Sequence, residues 1–305
     1  MLEEIYKVLP ISMLEKIKKI GSTTNITEIR LRVGRNILLV TSDVEVEVDY
    51  IVNLKDLLDI LVKVSKNSIY AIQNEINNGF VVINGGHRIG ICGEVVIENG
   101  KIKNIKNINS MNIRVARQLI GVADKVMPYI VNNGNVQNTI IISPPGCGKT
   151  TILRDIVRQI SSGVKILDFK GKNVGLVDER GEIAAVSLGI PNLDVGLRTD
   201  IMSNVPKSIG MQMLVRSMGI DVIATDEIGG KEDFEAIKYA NSSGVNLVFT
   251  MHGNDISDVY KKEEIKKLLN DGIFSVAIIL SRKKGVGTIE KICDLKGENI
   301  LKKAI

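Results

Sequence analysis

The sequence predicts an α/β protein in two parts: a smaller α+β domain, then a domain with a mostly parallel sheet and helices on both faces. The second half indicates this class because continuously apolar strands alternate there with helical segments. The first half instead places short strands and turn residues around one strongly periodic helix. A chain of 305 residues suits two domains with separate cores, which we place at residues 1–130 and 131–305.

Local periodicity predicts the elements of the first domain. Helical stretches surround Leu9 and Leu14, and Asn53–Lys66 repeats apolar residues at helical spacing after an asparagine suited to an N-cap. Short apolar or alternating runs predict strands at Thr27–Val33, Ile37–Val40, Phe80–Asn84 and Ile89–Ile97. An Asn-Gly pair at 99–100 predicts a turn into a further strand, Lys101–Ile108.

The second domain shows a regular alternation of strands and helices. The predicted strands are Thr139–Ile142, Asn173–Val177, Val222–Thr225 and Asn246–Thr250, and the predicted helices are Thr150–Ser161, Ser208–Met218 and Phe234–Ala240. Near the end, two strands around Arg282–Gly287 predict a hairpin. Ala184 to Lys207 reads as a long irregular loop, a kind of segment that is usually functional or mobile.

Composition limits the function classes. No stretch approaches the roughly 18 consecutive apolar residues of a membrane helix, and the N-terminus lacks a basic-then-apolar signal, so we expect a cytoplasmic protein. Three cysteines without CxxC spacing support neither a disulfide framework nor a cysteine zinc site. An aromatic content of 4% with no tryptophan argues against binding nucleic acid by base stacking.

The strongest functional signal is the segment from Ser143 to Thr150, which we call the phosphate loop. It lies between a strand and a helix and fits the pattern GxxxxGK[ST], except that Ser143 replaces the first glycine. Such a loop wraps backbone N–H groups around an anion at a helix N-terminus. The residues predicted to bind nucleotide phosphates are Ser143, Pro144, Pro145, Gly146, Cys147, Gly148, Lys149, Thr150 and Thr151. Lys149 is predicted to contact the β- and γ-phosphates, and Thr150 to ligate Mg²⁺.

Two pairs of acids follow apolar strands. Asp226 is predicted to hold the magnesium shell, and Glu227 to polarise the attacking water. Glu179 ends another strand and is the second candidate for positioning the water. His252 follows a further strand, where a neutral imidazole would hydrogen-bond the γ-phosphate.

Some basic residues allow two interpretations. Arg198, in the long loop, is either a finger that stabilises phosphate charge or a solvated arginine. His87 and Arg88 lie between glycines of the first domain. This pair is interpreted either as a histidine that belongs to a turn or as an arginine that binds a ligand. Cys147 is more simply a small packed residue than a redox switch.

Together these motifs resemble the type II and type IV secretion ATPases, also called traffic ATPases. The phosphate loop is followed in order by VDERGEI, PNLDVGLRTD, MLVRSMGIDVIATDEIGG and TMHG, and the first domain carries EIRLRVGR, GGHRIG and NIRVAR. The likeness covers roughly residues 28–290 and is greatest to a branch that acts during endospore formation. The four-cysteine zinc module of many type II members is absent, which favours the smaller, zinc-free branch.

The resemblance implies a RecA-like P-loop ATPase, of the broad AAA+ type, that uses ATP and Mg²⁺. It implies a homo-oligomeric ring, commonly a hexamer, which energises a membrane-embedded channel or secretion protein from the inner face of the membrane, with no nucleic-acid partner. By analogy, the nucleotide-handling residues are Lys149, Thr150, Asp226, Glu227, Glu179 and His252. The arginines that reach the phosphates would come from Arg114, Arg117, Arg180, Arg198 or Arg216.

Two other functions remain compatible with the sequence. One is a RecA-like ATPase that moves on single-stranded nucleic acid, which steeply salt-dependent DNA binding would reveal. The other is a nucleotide-gated scaffold with little turnover, motivated only by Ser143. ATP hydrolysis that disappears in Lys149→Ala and Glu227→Gln would exclude the scaffold.

Overall fold

The computed structural model describes residues 2–20, 26–41, 44–66, 68–98, 100–116, 118–187, 189–261 and 263–294. The chain divides into two compact units. The N-terminal unit comprises Met1–Arg117 and Ala185–Asn192, and the C-terminal unit comprises Gln118–Ala184 and Leu193–Ile305.

Both units combine helices with strands. Numbered in chain order, the α-helices of the described residues are α1 (Glu3–Val8), α2 (Ile11–Lys18), α3 (Leu54–Val64), α4 (Gln73–Asn77), α5 (Met127–Ile130), α6 (Lys149–Ser162), α7 (Lys207–Ser217), α8 (Lys231–Ser242), α9 (Ile256–Val259) and α10 (Glu263–Asn270). The strands are β1 (Ile26–Arg32), β2 (Asn36–Thr41), β3 (Glu45–Ile51), β4 (Phe80–Ile83), β5 (His87–Glu98), β6 (Lys101–Arg114), β7 (Val131–Asn132), β8 (Asn135–Val136), β9 (Thr139–Ser143), β10 (Val174–Asp178), β11 (Val186–Ser187), β12 (Ile190–Pro191), β13 (Thr199–Ser203), β14 (Val222–Thr225), β15 (Asn246–His252), β16 (Val276–Ser281) and β17 (Thr288–Cys293).

The N-terminal unit contains an antiparallel sheet with the strand order β3-β2-β1-β6-β5-β4. Helix α3 begins where the sequence predicts, because Asn53 and Asp56 form a reciprocal capping box. Strands β5 and β6 pair Glu98 with Lys101, as a two-residue turn requires, although Asn99 itself lies outside the described residues. The alternating strand β3 was not predicted, although its sequence EVEVDYI has the period of a strand.

The C-terminal unit contains a sheet with the order β13-β10-β14-β15-β9-β16-β17, in which only the pairing of β16 with β17 is antiparallel. Every residue of β9, β10 and β14 is buried, as expected for a parallel sheet shielded from solvent. Because parallel strands share a direction, β9, β10, β14 and β15 end at one edge of this sheet. This edge is where the phosphate loop begins.

The division into units differs in two places from the predicted boundary at residue 130. The segment after Gln118 belongs to the C-terminal unit, where the Ala123 amide donates to Asp155 and Gln159 donates to Asp124, both bonds involving helix α6. Residues 185–192 belong to the N-terminal unit, where the Asn192 side chain accepts from the Gly85 amide.

The prediction of an irregular loop from Ala184 to Lys207 was wrong in part. This segment contains the short β11–β12 pair and the edge strand β13, which runs parallel to β10. All five residues of β13 are only half-buried. A strand in this environment tolerates polar residues, and its sequence TDIMS therefore lacks the apolar run by which a central strand is recognised. None of the helices in the described ranges has the length and hydropathy of a membrane span.

Candidate active site

The phosphate loop connects β9 to α6 through two left-handed glycines. Gly146 has φ +65° and Gly148, the N-cap of α6, has φ +86°, values that side chains disfavour. Ser143 instead lies in β9 without a positive φ, so its position does not require glycine. Its hydroxyl donates to the Pro144 carbonyl. The departure from the usual first glycine therefore leaves the loop geometry intact.

Lys149 lies inside this loop and is 6% exposed. Its Nζ donates to the carbonyl oxygens of Ser143 and Pro144, at 3.1 Å each. Burial lowers the pKa of Lys149, whereas the negative charges of Glu227 and Asp226 act in the opposite direction. Both carboxylates are thus within electrostatic reach of the ammonium group.

The register of the sheet explains why these groups meet. Thr225, the last residue of β14, pairs with Val177 on one side and Phe249 on the other. At the end of β15, His252 pairs with Ser143. The acids that follow β14, the histidine of β15 and the phosphate loop after β9 therefore share one edge of the sheet.

Asp226 is 3% exposed, and burial is the main reason that its pKa rises to about 6, followed by the charge of Asp178. None of the described residues donates a hydrogen bond to its carboxylate. A buried carboxylate without donors suits a cation, and a carboxylate with the Thr150 hydroxyl is the oxygen set that Mg²⁺ accepts beside phosphates. Within the described residues there is no cluster of three metal-binding side chains, so any metal here needs phosphate or water oxygens as well.

Glu227 has a strained backbone, with φ +49°. Its amide donates to the Thr250 hydroxyl at 2.8 Å. Its carboxylate accepts from Arg180 at 2.9 Å and lies 3.4 Å from Nε2 of His252. Three neighbours thus hold this residue, two of them by its side chain.

Asp178 and Glu179 have different partners from Asp226 and Glu227. Asp178 is fully buried and accepts hydrogen bonds from three consecutive amides, those of residues 182–184. Glu179 pairs with Lys207, which is 9% exposed and was missed by sequence reasoning. A signal was present, because Lys207 begins α7 directly after Pro206, and a cation is unfavourable at a helix N-terminus.

The structure does not bring the predicted arginines together. Arg198 donates to the Ser161 carbonyl near the end of α6, about 20 Å along the 14-residue helix from the phosphate loop. We therefore reassign Arg198 from a charge-stabilising finger of this loop to a contact at the helix end. Arg216 lies against Tyr239 of α8, and Arg114 pairs with Glu28 in the N-terminal unit. Arg117 lies outside the described residues.

The remaining ambiguous residues have structural contacts. His87 is buried, and its Nδ1 accepts from the Ala116 amide. Arg88 stacks on the Phe80 ring at 3.5 Å. Cys147 is buried in the phosphate loop, with Sγ 3.7 Å from the Pro145 carbonyl oxygen. These contacts agree with packing roles for the histidine and the cysteine.

A cavity of about 1040 Å³ adjoins the phosphate loop. Gly148, Thr151 and Ile152 form the wall on the loop side. Apolar residues of the segment after Gln118 and the tip of the β16–β17 hairpin form the other walls. The sequence had no signal for this cavity, because its walls come from three distant segments.

The profile of the family described as "Sporulation stage III, protein AA" matches residues 2–300. The chain belongs to this family. It is 40% identical over 303 residues to Stage III sporulation protein AA of Bacillus subtilis (strain 168), covering 98% of this chain and 97% of that protein. The sporulation family inferred from the motifs is confirmed.

Solved structures confirm the predicted fold. The ATPase DotB of Yersinia pseudotuberculosis superposes with a TM-score of 0.59 at 15% identity, covering 94% of this chain and 80% of that one. The pilus retraction motor PilT, solved with bound ADP, superposes with a TM-score of 0.57 at 15% identity, covering 88% and 76%. At such identities the likeness concerns the fold, which is the RecA-like P-loop fold of secretion ATPases.

Proposed function

We propose that this protein binds ATP with Mg²⁺ at the phosphate loop and hydrolyses it, as the motor of a secretion-type complex in endospore formation. The observation that carries the proposal is the shared sheet edge at which Lys149 lies within electrostatic reach of Asp226 and Glu227. A buried ammonium group beside left-handed glycines at a helix N-terminus is the arrangement that binds phosphate.

Binding would use the loop and the adjoining cavity. The triphosphate would accept from the loop amides and from Lys149, in exchange for the bonds of Lys149 to the Ser143 and Pro144 carbonyls. The nucleoside would extend past Thr151 into the cavity, whose walls include Ile152. An adenosine group fits a volume of about 1040 Å³ with space for water.

Thr150 and Asp226 are the residues that would hold Mg²⁺, which neutralises charge on the phosphate oxygens when bound. A divalent cation would also bind the Asp226 carboxylate directly, whereas Lys149 and Lys207 act on it only through their charge. With a pKa of about 6, Asp226 is already mostly ionised at neutral pH, and a bound cation would lower this pKa.

Glu227 would orient the attacking water and take its proton. Arg180 donates to the Glu227 carboxylate and His252 lies beside it, and the positive φ of Glu227 is compatible with a residue held at a functional site. Glu179 is the second candidate base, and it is the weaker one because its partner Lys207 is buried, whereas the partner of Glu227, Arg180, is exposed. Arg180 is also the arginine best placed to neutralise phosphate charge during hydrolysis.

The cellular role rests on the family. Membership of a sporulation stage III family and the fold of secretion ATPases support a motor that forms a ring, proposed as a hexamer, in the cytoplasm at the inner face of a membrane. Its partner would be a membrane-embedded channel or secretion protein. Size measurement with and without a non-hydrolysable ATP analogue tests the ring.

A turnover assay tests the proposed chemistry. Lys149→Ala should abolish nucleotide binding, and Glu227→Gln should bind ATP but hydrolyse it at least about 100-fold more slowly. Lys238→Ala, which changes an exposed lysine of α8, is the control. Wild-type protein that binds no ATP would refute the proposal. Normal hydrolysis by Glu227→Gln would transfer the role of base to Glu179.

A further inference from the structure

The tip of the β16–β17 hairpin, residues 282–287, contacts the phosphate loop along three consecutive residues. Nε of Arg282 donates to the Gly146 carbonyl at 2.8 Å, and the Gly287 amide donates to the Cys147 carbonyl at 3.1 Å. A Cβ built on Gly148 would lie 3.2 Å from Val286. The hairpin tip therefore forms an outer support for the loop.

Gly146 shows how tightly this support fits. The pattern GxxxxGK[ST] places no glycine at this position, so the motif itself does not explain Gly146. A Cβ built there would lie 2.1 Å from Nη2 of Arg282, and the backbone has φ +65°. The turn therefore favours glycine at position 146, and the guanidinium group of Arg282 lies where a Cβ would be.

The hairpin uses the Arg282 carbonyl, which accepts from the Gly285 amide at 3.1 Å, but the other internal contacts of its described residues do not involve the Arg282 side chain. Its internal contacts include the Thr288 hydroxyl bonded to the Gly285 carbonyl and Lys283 paired with Glu290. Arg282 is exposed, and in the described part of the chain the acceptor of its side chain is the Gly146 carbonyl. Its contact thus serves the loop rather than the hairpin.

We propose that Arg282 is a positioning residue for nucleotide binding, which acts through the Gly146 carbonyl. A trans peptide is planar, with its C=O and N–H pointing in opposite directions. Because the Gly146 carbonyl points to Arg282, the N–H of Cys147 in the same peptide group points away from the hairpin, toward the proposed phosphate site. In the same way, the bond from Gly287 to the Cys147 carbonyl directs the N–H of Gly148 toward that site. Hydrogen bonding at the carbonyl also polarises the peptide and strengthens its N–H as a donor to phosphate.

This inference rests on the proposed binding of ATP, and calorimetric titration of Mg²⁺-ADP into the full chain tests it. Arg282→Met removes every donor, whereas Arg282→Gln places an amide nitrogen where Nε lies and removes the charge. Arg282→Met should raise Kd about tenfold, and Arg282→Gln should stay within about threefold of wild type. Lys165→Met is the control, because this exposed lysine follows the far end of α6.

Two further measurements separate positioning from folding. In Arg282→Met the KM for ATP should rise by the same factor while kcat changes less than about twofold, because only binding depends on the loop amides. The thermal midpoint without nucleotide should equal that of wild type. Unchanged Kd in Arg282→Met, equal losses in the Met and Gln variants, or a lowered midpoint without nucleotide would each overturn the inference. Absence of binding by wild type would instead refute the proposed function.

Discussion

Two strands of the C-terminal unit, β10 and β14, lead into the same dipeptide, Asp-Glu, but the two pairs of acids have different environments. The first acid after β14, Asp226, is buried with no donor among the described residues. Asp178, which ends β10, is also buried but accepts hydrogen bonds from the amides of three consecutive residues. A buried carboxylate with several hydrogen-bond donors, such as Asp178, stabilises a turn, whereas a buried carboxylate without them, such as Asp226, is suited to bind a cation.

The second acids differ as well. Glu179 pairs with a buried lysine, Lys207, and Glu227 lies between Arg180 and His252 on a strained backbone. Both glutamates therefore have a cationic partner, but Lys207 is buried whereas Arg180 is exposed and screened by solvent, so the Glu227 carboxylate is the less tightly paired of the two. We therefore propose that the pair after β14 is the reactive one and that the pair at β10 supports it.

The largest expected effect is on stability, at Asp178. Asp178→Ala leaves the amides of residues 182–184 buried without their acceptor, so the free energy of unfolding should fall by about 3–5 kcal/mol. Thermal melting of the purified variant measures this loss. A midpoint equal to that of wild type would remove the proposed difference between the two aspartates.

Asp226→Asn should instead raise the free energy of unfolding. The folded pKa of about 6 exceeds the ordinary 3.8, so the folded state holds its proton more tightly, and the ionised carboxylate lowers stability increasingly as pH rises from about 4 to 6. The variant should gain on the order of 1–3 kcal/mol near pH 8 and little near pH 4. It should also lose hydrolysis, and melting curves at both pH values with a turnover assay check both effects. A variant that is less stable near pH 8 would contradict this account of Asp226.

Lys207→Met should lower the free energy of unfolding by about 1–2 kcal/mol, because it leaves Glu179 without its partner next to the other acids. Glu179 is partly exposed, which limits the loss. The double variant Lys207→Met with Glu179→Gln should recover most of it. A double-mutant cycle on thermal midpoints measures the coupling, and strictly additive effects would show that the pair has none.

Arg180→Gln should have the smallest effect on stability, less than about 0.5 kcal/mol, because Arg180 is exposed. Its effect on kcat should be about tenfold, because Glu227 loses one of the two side chains that hold it. Parallel melting and turnover assays make this comparison. An unchanged kcat would leave His252 as the residue that orients Glu227.

Features that depend on neighbours in sequence were predicted well. Helix α3 starts at its predicted N-cap, and the phosphate loop lies between the predicted strand and helix. The edge strand β13 was not predicted, because a half-buried strand at the edge of a sheet can form without a run of apolar residues. Lys207 and Arg282 were missed because their partners lie 28 and 136 residues away.

The class of fold, the glycine turns of the phosphate loop and the acids at strand ends could be predicted from the amino-acid sequence, because backbone periodicity, capping and glycine turns depend on local residues. The packing of distant segments sets three other features: which acid lacks donors among the described residues, the position of Arg198 far along α6 from the loop, and the contact of a hairpin with Gly146. Burial and charge pairing depend on segments distant in the chain, and their energies change with whatever packs beside them.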